Sequence, residues 1–523
     1  MRRWLAALSA VAAVALLVWG LSTATGPTSS HGSGTGATHA AAEGTVSIAL
    51  SGDPGKIDPQ QTTGALARQI AEFSYDTLVH ELPGGRIVSG LAQEWNVLSL
   101  TKVRFTLRSG VTCSDGTEMT ASVVKRNLDY IANKANGSPL MNLFVPQNTT
   151  TVADNRKRTV TVTFPSVDPF PLQGLGSVPM VCSEGLADRG RLRNGADGSG
   201  PYRLAQVTPG VTYTFELRNV YHWGPDGSTS QGMPAKVILE VITNDTTAAN
   251  LLLTGGLNIA TISGPDRTRL EKANLFKRAM VTAPGDIWFN ESNGHATASA
   301  ALRRGIVQAL QLGQLGEVFT SGDGLPMTQL TLQTFTPCSG NSVKGNVPQH
   351  NETAARMALS SHPSLKLLYA ADGGPGAPAA MELAQQELDA AGASATLHGT
   401  TTANLLGTLY GSGDWDIALV SVGVTAPTQL VSFLSGATPA NHGNNFAGID
   451  NVGYQRQVAS ALKTAGPTSC AHWLKAEKSI FSHADLAPTM WNTLPTFANG
   501  VTFSLRDAGV SPTTLRLTKN AKT

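Results

Sequence analysis

Apolar and polar residues alternate strictly in Thr159–Phe164 (TVTVTF) and in Lys236–Val241, the period-two pattern of a half-buried strand. The same alternation, through Phe105 and Leu107, predicts a strand over Arg104–Arg108, a tight turn at Ser109-Gly110 and a short strand closing on Cys113. A second turn at Ser114-Asp115-Gly116 leads to a helix opening at Thr120 or Ser122, with Val123, Val124, Leu128 and Ile131 spaced for one buried face. Further strands are expected at Thr45–Leu50, Tyr202–Gln206 and Tyr213–Arg218, the last two as a hairpin. Helices are expected over Ala65–Tyr75 and Asp245–Leu253, the second ended by Gly255-Gly256.

Beyond residue 285 the pattern becomes strand–helix–strand. Asp286–Glu291 reads as a strand and Ala300–Leu312 as a helix with Leu302, Ile306, Ala309 and Leu310 on its apolar face. A strand at Leu365–Ala371, a helix at Pro378–Ala390 and a strand at Ala395–His398 form a βαβ unit, which implies a parallel sheet. Asp416–Val420 is a further buried strand, and Tyr454–Lys463 and Ser469–Phe481 are helices. Val501–Leu505 and Thr514–Leu517 close the chain as strands, and no internal repeat is present.

At 523 residues the chain exceeds what one hydrophobic core can organise, so two or three lobes are expected. A net charge of +2, from 38 basic and 36 acidic residues, gives no field for nucleic acid and no broad attraction to anionic membranes. At the N-terminus, Arg2 and Arg3 precede an apolar run from Leu5 to Leu21 and the small residues Ser22-Thr23-Ala24. Residues 1–24 are therefore expected to be an export signal, either cleaved or kept as a membrane anchor. Residues 25–44 have no large apolar side chain and read as a flexible linker. No cysteine precedes Cys113, so the expected route to the outer face of the cytoplasmic membrane is this signal or anchor, not a lipid-modified cysteine. Four dispersed cysteines without a CxxC give little support to a metal or redox site, and in an oxidising compartment an even count favours disulfides over buried thiols.

Ordered landmarks run through the chain: Asp53 to Asp58-Pro59, Tyr75-Asp76-Thr77-Leu78-Val79, Leu91-Ala92-Gln93-Glu94-Trp95, Phe105 to Val111 and Asp115-Gly116-Thr117. They continue with Gly200-Pro201-Tyr202, Asn219-x-Tyr221-x-Trp223-Gly224, Phe289-Asn290, Arg303-x-x-Ile306-x-x-Ala309-Leu310 and Asp414-Trp415-Asp416. In this order they resemble the peptide/nickel class (family 5) of extracellular solute-binding proteins, the oligopeptide- and dipeptide-binding receptors of ABC importers. The resemblance implies a two-lobed α/β fold of the periplasmic-binding-protein type (class II, cluster C) with an extra subdomain in the first lobe. It implies a first lobe over about 45–265, with a subdomain near 61–190, a second lobe over 266–490, and a return to the first lobe over 491–523. That lobe assignment pairs Cys113 with Cys182 and Cys338 with Cys470, with reduced buried thiols as the alternative. The implied partners are a peptide or other small solute and the permease subunits of an ABC importer, with the receptor a monomer and no nucleic acid involved.

The resemblance places Asp53, Asn290, Val422, Thr425 and Trp491 at the ligand cleft. Peptide-binding members typically carry a tryptophan and then an aspartate after the Trp/Tyr-Asp strand, the aspartate holding the peptide's ammonium group. By spacing, Val422 and Thr425 stand near those positions, so either the solute is not an ordinary peptide or another acid, such as Asp53, serves. Tyr75, Trp95 and Trp223 are expected to be core. No HExxH, G-x-S-x-G, P-loop or Rossmann glycine pattern occurs, and the eleven histidines show no metal-ligand spacing. No catalytic residue, metal or cofactor is therefore expected. A receptor-fold sensor or regulator of the envelope is the alternative reading, and a secreted hydrolase a remote one.

Overall fold

Thr45–Leu50 opens the folded body at the middle of a large mixed sheet, where burial of Val46, Ile48 and Leu50 follows the alternation of its sequence. The computed structural model describes residues 44–282, 285–371, 376–441, 443–506 and 509–518; residues 1–43, which include the expected signal and nearly all of the linker, lie outside the described residues. Lys236–Val241 lies parallel to the opening strand, and the hairpin Tyr202–Thr208/Thr212–Leu217 extends that edge antiparallel. On the other side come Ile259–Thr261, Met490–Ala498 and Phe276–Thr282. Helix Asp245–Thr254 begins at Asn244, whose side chain accepts from Thr247 N. It ends at Gly255, whose φ of 79° is a left-handed conformation that glycine adopts without a Cβ clash.

A four-stranded antiparallel sheet (Ala92–Ser99, Lys102–Leu107, Thr159–Thr163, Thr150–Asp154) forms the subdomain with helix Ala121–Ala132. Val103, Phe105, Val160 and Val162 meet Val124, Leu128 and Ile131 in one core. The helix is capped by Thr120, whose side chain accepts from Val123 N. The segment before it has no strand at Cys113: Thr112 and Glu118 form an isolated bridge around the Asp115-Gly116-Thr117 turn. There the Asp115 carboxylate accepts from the Thr117 backbone N–H and hydroxyl, and a competing local hydrogen bond of this kind replaces a ladder.

The third large sheet is mixed, in the order Ser394–Thr400, Ser364–Ala370, Ile417–Val420, Asp286–Phe289, Leu486–Ala487. Its βαβ unit is parallel, as the spacing predicts, with helix Gly376–Ala390 as the crossover. Alternation sorts its side chains: Ile287, Phe289, Leu365, Leu367, Ile417 and Leu419 enter one core, while Trp288, Leu368 and Ala418 enter another on the opposite face. The helix expected over Ala300–Leu312 is two helices, Ala300–Ala309 and Leu312–Phe319, with Leu310 and Gln311 extended between them. Cys113–Cys182 and Cys338–Cys470 are disulfide-bonded.

Candidate functional site

Two strands carry the chain between the large sheets. Phe276–Thr282 and Met490–Ala498 pair antiparallel at the edge of the first sheet, with Thr282 opposite Asn492. Just beyond, the chain enters the third large sheet at Asp286 and leaves it at Ala487. The Thr489 hydroxyl donates to Gly285 O at 2.5 Å and clamps the two crossings together. A double-stranded junction between two sheets is the geometry of a hinge, because few backbone dihedrals need change for the bodies to rotate.

Three expected cleft residues gather beside this junction. Trp491 is 0 % exposed and packs in the apolar face that holds Trp288 and Trp415, with Val422 partly buried against the same face. Thr425 lies between Val424 and Ala426, both in that core. Its loop is held by Gln429, whose Oε1 accepts from Thr425 N and Ala426 N at 3.0 Å each, and by Leu332 N donating to Val424 O at 2.8 Å. The Trp491 indole N–H and the Thr425 hydroxyl are buried without a hydrogen-bond partner.

Asn290 sits at the other end of its strand. Its Nδ2 donates to Gly413 O and Trp415 O, and its Oδ1 accepts from Ser292 N, so its polar atoms are engaged with backbone. Asp53 stands apart from the other four. It is exposed, accepts from Gly55 N at 3.0 Å, and lies beside Gly210 in the turn of the first-sheet hairpin.

Asp286 was not singled out by the sequence, yet it belongs with Trp491, Val422 and Thr425. It pairs in register with Val420, the last residue before the 421–427 segment, and alternation places it on the face of Trp288. It is 2 % exposed, and its Oδ1 is buried without a partner. Burial, and then the negative charge of Glu477, push its carboxyl well above the ordinary range. Glu477 accepts from Leu330 N and from the Ser342 hydroxyl, and burial pushes it up to about 7. The available signal was an acid opening an otherwise apolar strand, Asp286-Ile287-Trp288-Phe289, which the period-two pattern assigns to a buried face.

The landmark motifs, by contrast, build scaffold. Asp76 accepts from Tyr221 Oη (2.8 Å), Ser199 Oγ (2.9 Å) and Trp223 Nε1 (3.0 Å), so its carboxylate joins the Asn219–Gly224 motif to the residue just before Gly200-Pro201-Tyr202. Asp416 accepts from Lys366 N and pairs with His295 Nδ1 at 3.0 Å. Tyr75 and Trp223 are buried, and Trp95 is partly buried against the subdomain core. Among the described residues no cluster of three or more His, Cys, Asp or Glu has metal-site geometry, and no helix is long and apolar enough to cross a membrane.

The model of the bacterial extracellular solute-binding proteins, family 5 (middle), matches residues 86–444. Among solved structures, a substrate-binding protein from Microbacterium hydrocarbonoxydans, in complex with 4-hydroxybenzoate hydrazide, superposes with a TM-score of 0.77 at 26% identity. The match covers 91% of this chain and 100% of the other. A dipeptide-binding protein from Pseudoalteromonas sp. SM9913, in complex with Met-Leu, has a TM-score of 0.76 at 17% identity over the same shares of the two chains. The oligopeptide-binding protein AppA from Bacillus subtilis, in complex with a nonapeptide, has a TM-score of 0.73 at 16% identity, over 91% of this chain and 99% of the other. No curated protein matches the sequence. With the family's model spanning well over half of its length, and with the two-lobed α/β architecture of those receptors, the chain belongs to the bacterial extracellular solute-binding proteins of family 5.

Proposed function

We propose that the protein is the extracytoplasmic receptor of an ABC importer, which closes its lobes over a small organic solute and delivers it to a membrane permease. The observation that carries this reading is the 26% identity to a substrate-binding protein across 91% of the chain. The ligand of that protein, a small aromatic hydrazide, also favours a compact solute over a long peptide. So do the tryptophans 288, 415 and 491 packed in one apolar face, beside a loop with Val422 and Thr425 in place of a charged anchor. In this reading the first lobe comprises about 45–265 and the return over 491–523, the second lobe comprises 266–490, and the two crossings clamped by the Thr489–Gly285 hydrogen bond act as the hinge. Binding needs no reaction, since a solute that contacts both lobes favours the closed state by its differential affinity.

Native mass spectrometry of protein purified without refolding tests the reading, with a retained small molecule expected. Thermal-shift titration follows with a dipeptide library, 4-hydroxybenzoate hydrazide and a nickel–histidine complex. If nothing is retained and none of these raises the melting temperature at millimolar concentration, the receptor reading is abandoned.

A further inference from the structure

Buried acids elsewhere in the described residues have partners. Asp76 takes three donors, Asp58 takes Arg189, and Asp485 takes Arg303 and Asn451. Asp197, which leaves one oxygen unpaired, uses the other for Gly185 N. Among the described residues, Asp286 alone of the buried acids has no side-chain hydrogen bond and no ion pair, and the charged group that bears on it is another acid, Glu477. A buried carboxyl without a partner is costly and destabilising, and such groups concentrate where a ligand supplies the missing partner.

Its position is specific. Asp286 is the first residue of the third large sheet after the crossing between sheets and stands directly across from Val420. Opposed side chains in such a pair have Cβ atoms about 5 Å apart. The carboxyl therefore lies on the Trp288 side of the sheet, beside the residue that precedes the 421–427 segment; the Thr425 hydroxyl in that segment and the N–H of Trp491, which shares a core with Trp288, are also unpaired. A cation placed beside Asp286 and Glu477 favours their ionised forms and pairs with them, whereas an anion does not, and indole faces favour a cation.

We propose that Asp286 is the specificity-determining residue of the receptor, and that the solute carries a cationic nitrogen, an ammonium or guanidinium, which pairs with its carboxylate. This rests on the receptor reading above. In the empty protein, burial and Glu477 favour the neutral acid, which lowers the cost of leaving the site vacant.

The test compares wild type with Asp286→Asn and Asp286→Leu. Any retained solute is identified by mass. Matched probes are titrated calorimetrically: tyramine against 2-(4-hydroxyphenyl)ethanol, Leu-Leu against N-acetyl-Leu-Leu, and agmatine. The expected result is binding of a cationic solute or probe, weakened about 100-fold or more in Asp286→Asn, with the neutral counterpart unaffected. The ligand-free Asp286→Leu variant is expected to melt no lower than wild type, because an unsatisfied carboxyl has been removed, and Asp286→Asn, which keeps an unsatisfied polar group of the same shape, is expected to melt close to wild type. Binding of a solute with affinity unchanged in Asp286→Asn overturns the proposal while leaving the receptor reading intact. So does a retained solute with no cationic group, or a ligand-free Asp286→Asn that melts clearly below wild type. Absence of any retained or bound molecule overturns both.

Discussion

At the scale of single residues, the family's sequence landmarks build scaffold, apart from the residues proposed to face the solute. Asn290, a cleft candidate by resemblance, spends its amide on Gly413 O, Trp415 O and Ser292 N. Asn290→Ala should therefore cost about 2–4 kcal/mol in urea unfolding, since it strands two buried carbonyls and a backbone N–H. Solute affinity of the folded fraction should stay within a few-fold of wild type, and an affinity collapse at unchanged stability would return Asn290 to the site. Trp491, Val422 and Thr425 were singled out in the sequence only because their places in the chain order match the family's, and their part in solute binding belongs to the proposal. Asp286 was not legible, because its meaning lies in what is absent around it. A sequence does not reveal that Asp76 finds three donors while Asp286 finds none.

Elements were legible wherever local periodicity and capping agreed with the tertiary environment. The alternating strand Thr159–Thr163, the helix capped by Thr120 and the parallel βαβ unit all follow from spacing. The long strands Phe276–Thr282 and Met490–Ala498 were missed, because their burial pattern does not alternate: the first is half-buried or exposed throughout, and the second ends in a run of buried residues over Pro495–Ala498. The short strand expected at Cys113 gave way to a side-chain-stabilised turn, with Cys113 instead linked to Cys182 at the start of helix Ser183–Ala187. That bond closes a separation of 69 residues and the Cys338–Cys470 bond one of 132. In the chain-entropy model such loops contribute about 4 and about 5 kcal/mol. Replacing each pair by serine should lower unfolding free energy by amounts of that order, with the larger loss for the second pair. Denaturant midpoints unmoved by a reductant that demonstrably opens both bonds would refute that account. Thr120→Ala, which removes only the cap, should cost about 1 kcal/mol by the same measurement.

At the scale of the whole molecule, Phe170 shows how the bodies meet. It follows the subdomain's last strand, is 3 % exposed, and packs in the same core as Trp288 and Trp491, while Gly466 N donates to Pro169 O at 2.9 Å. Phe170→Ala should shift the ligand-free protein toward an open form with a larger radius of gyration in solution scattering; an unchanged radius would show that this contact does not hold the bodies together. The response to pH is also a property of the whole, because several buried carboxyls move together. Burial pushes Asp76 and Asp168 each up to about 6 and Glu477 up to about 7. In the unfolded chain these groups release their protons near pH 4. Between about pH 4 and 7 the folded protein therefore binds more protons than the unfolded one, and stability falls as pH rises through that window. His80 acts in the opposite sense: buried and beside Arg506, it stays neutral when folded but gains a proton on unfolding below about pH 6.5, so its contribution rises with pH. Three carboxyls outweigh one imidazole. Each contributes up to about 1.4 kcal/mol per pH unit, and above about pH 6.5 Glu477 acts without opposition from His80. Urea midpoints at fixed ionic strength should accordingly be higher at pH 5 than at pH 8. Glu477→Gln keeps the shape of the side chain but cannot ionise, so it should flatten the upper part of that decline. A midpoint that rises steadily from pH 5 to pH 8 would mean that these carboxyls are ionised in the folded protein, held by donors such as Leu330 N and Ser342 Oγ more strongly than burial opposes them.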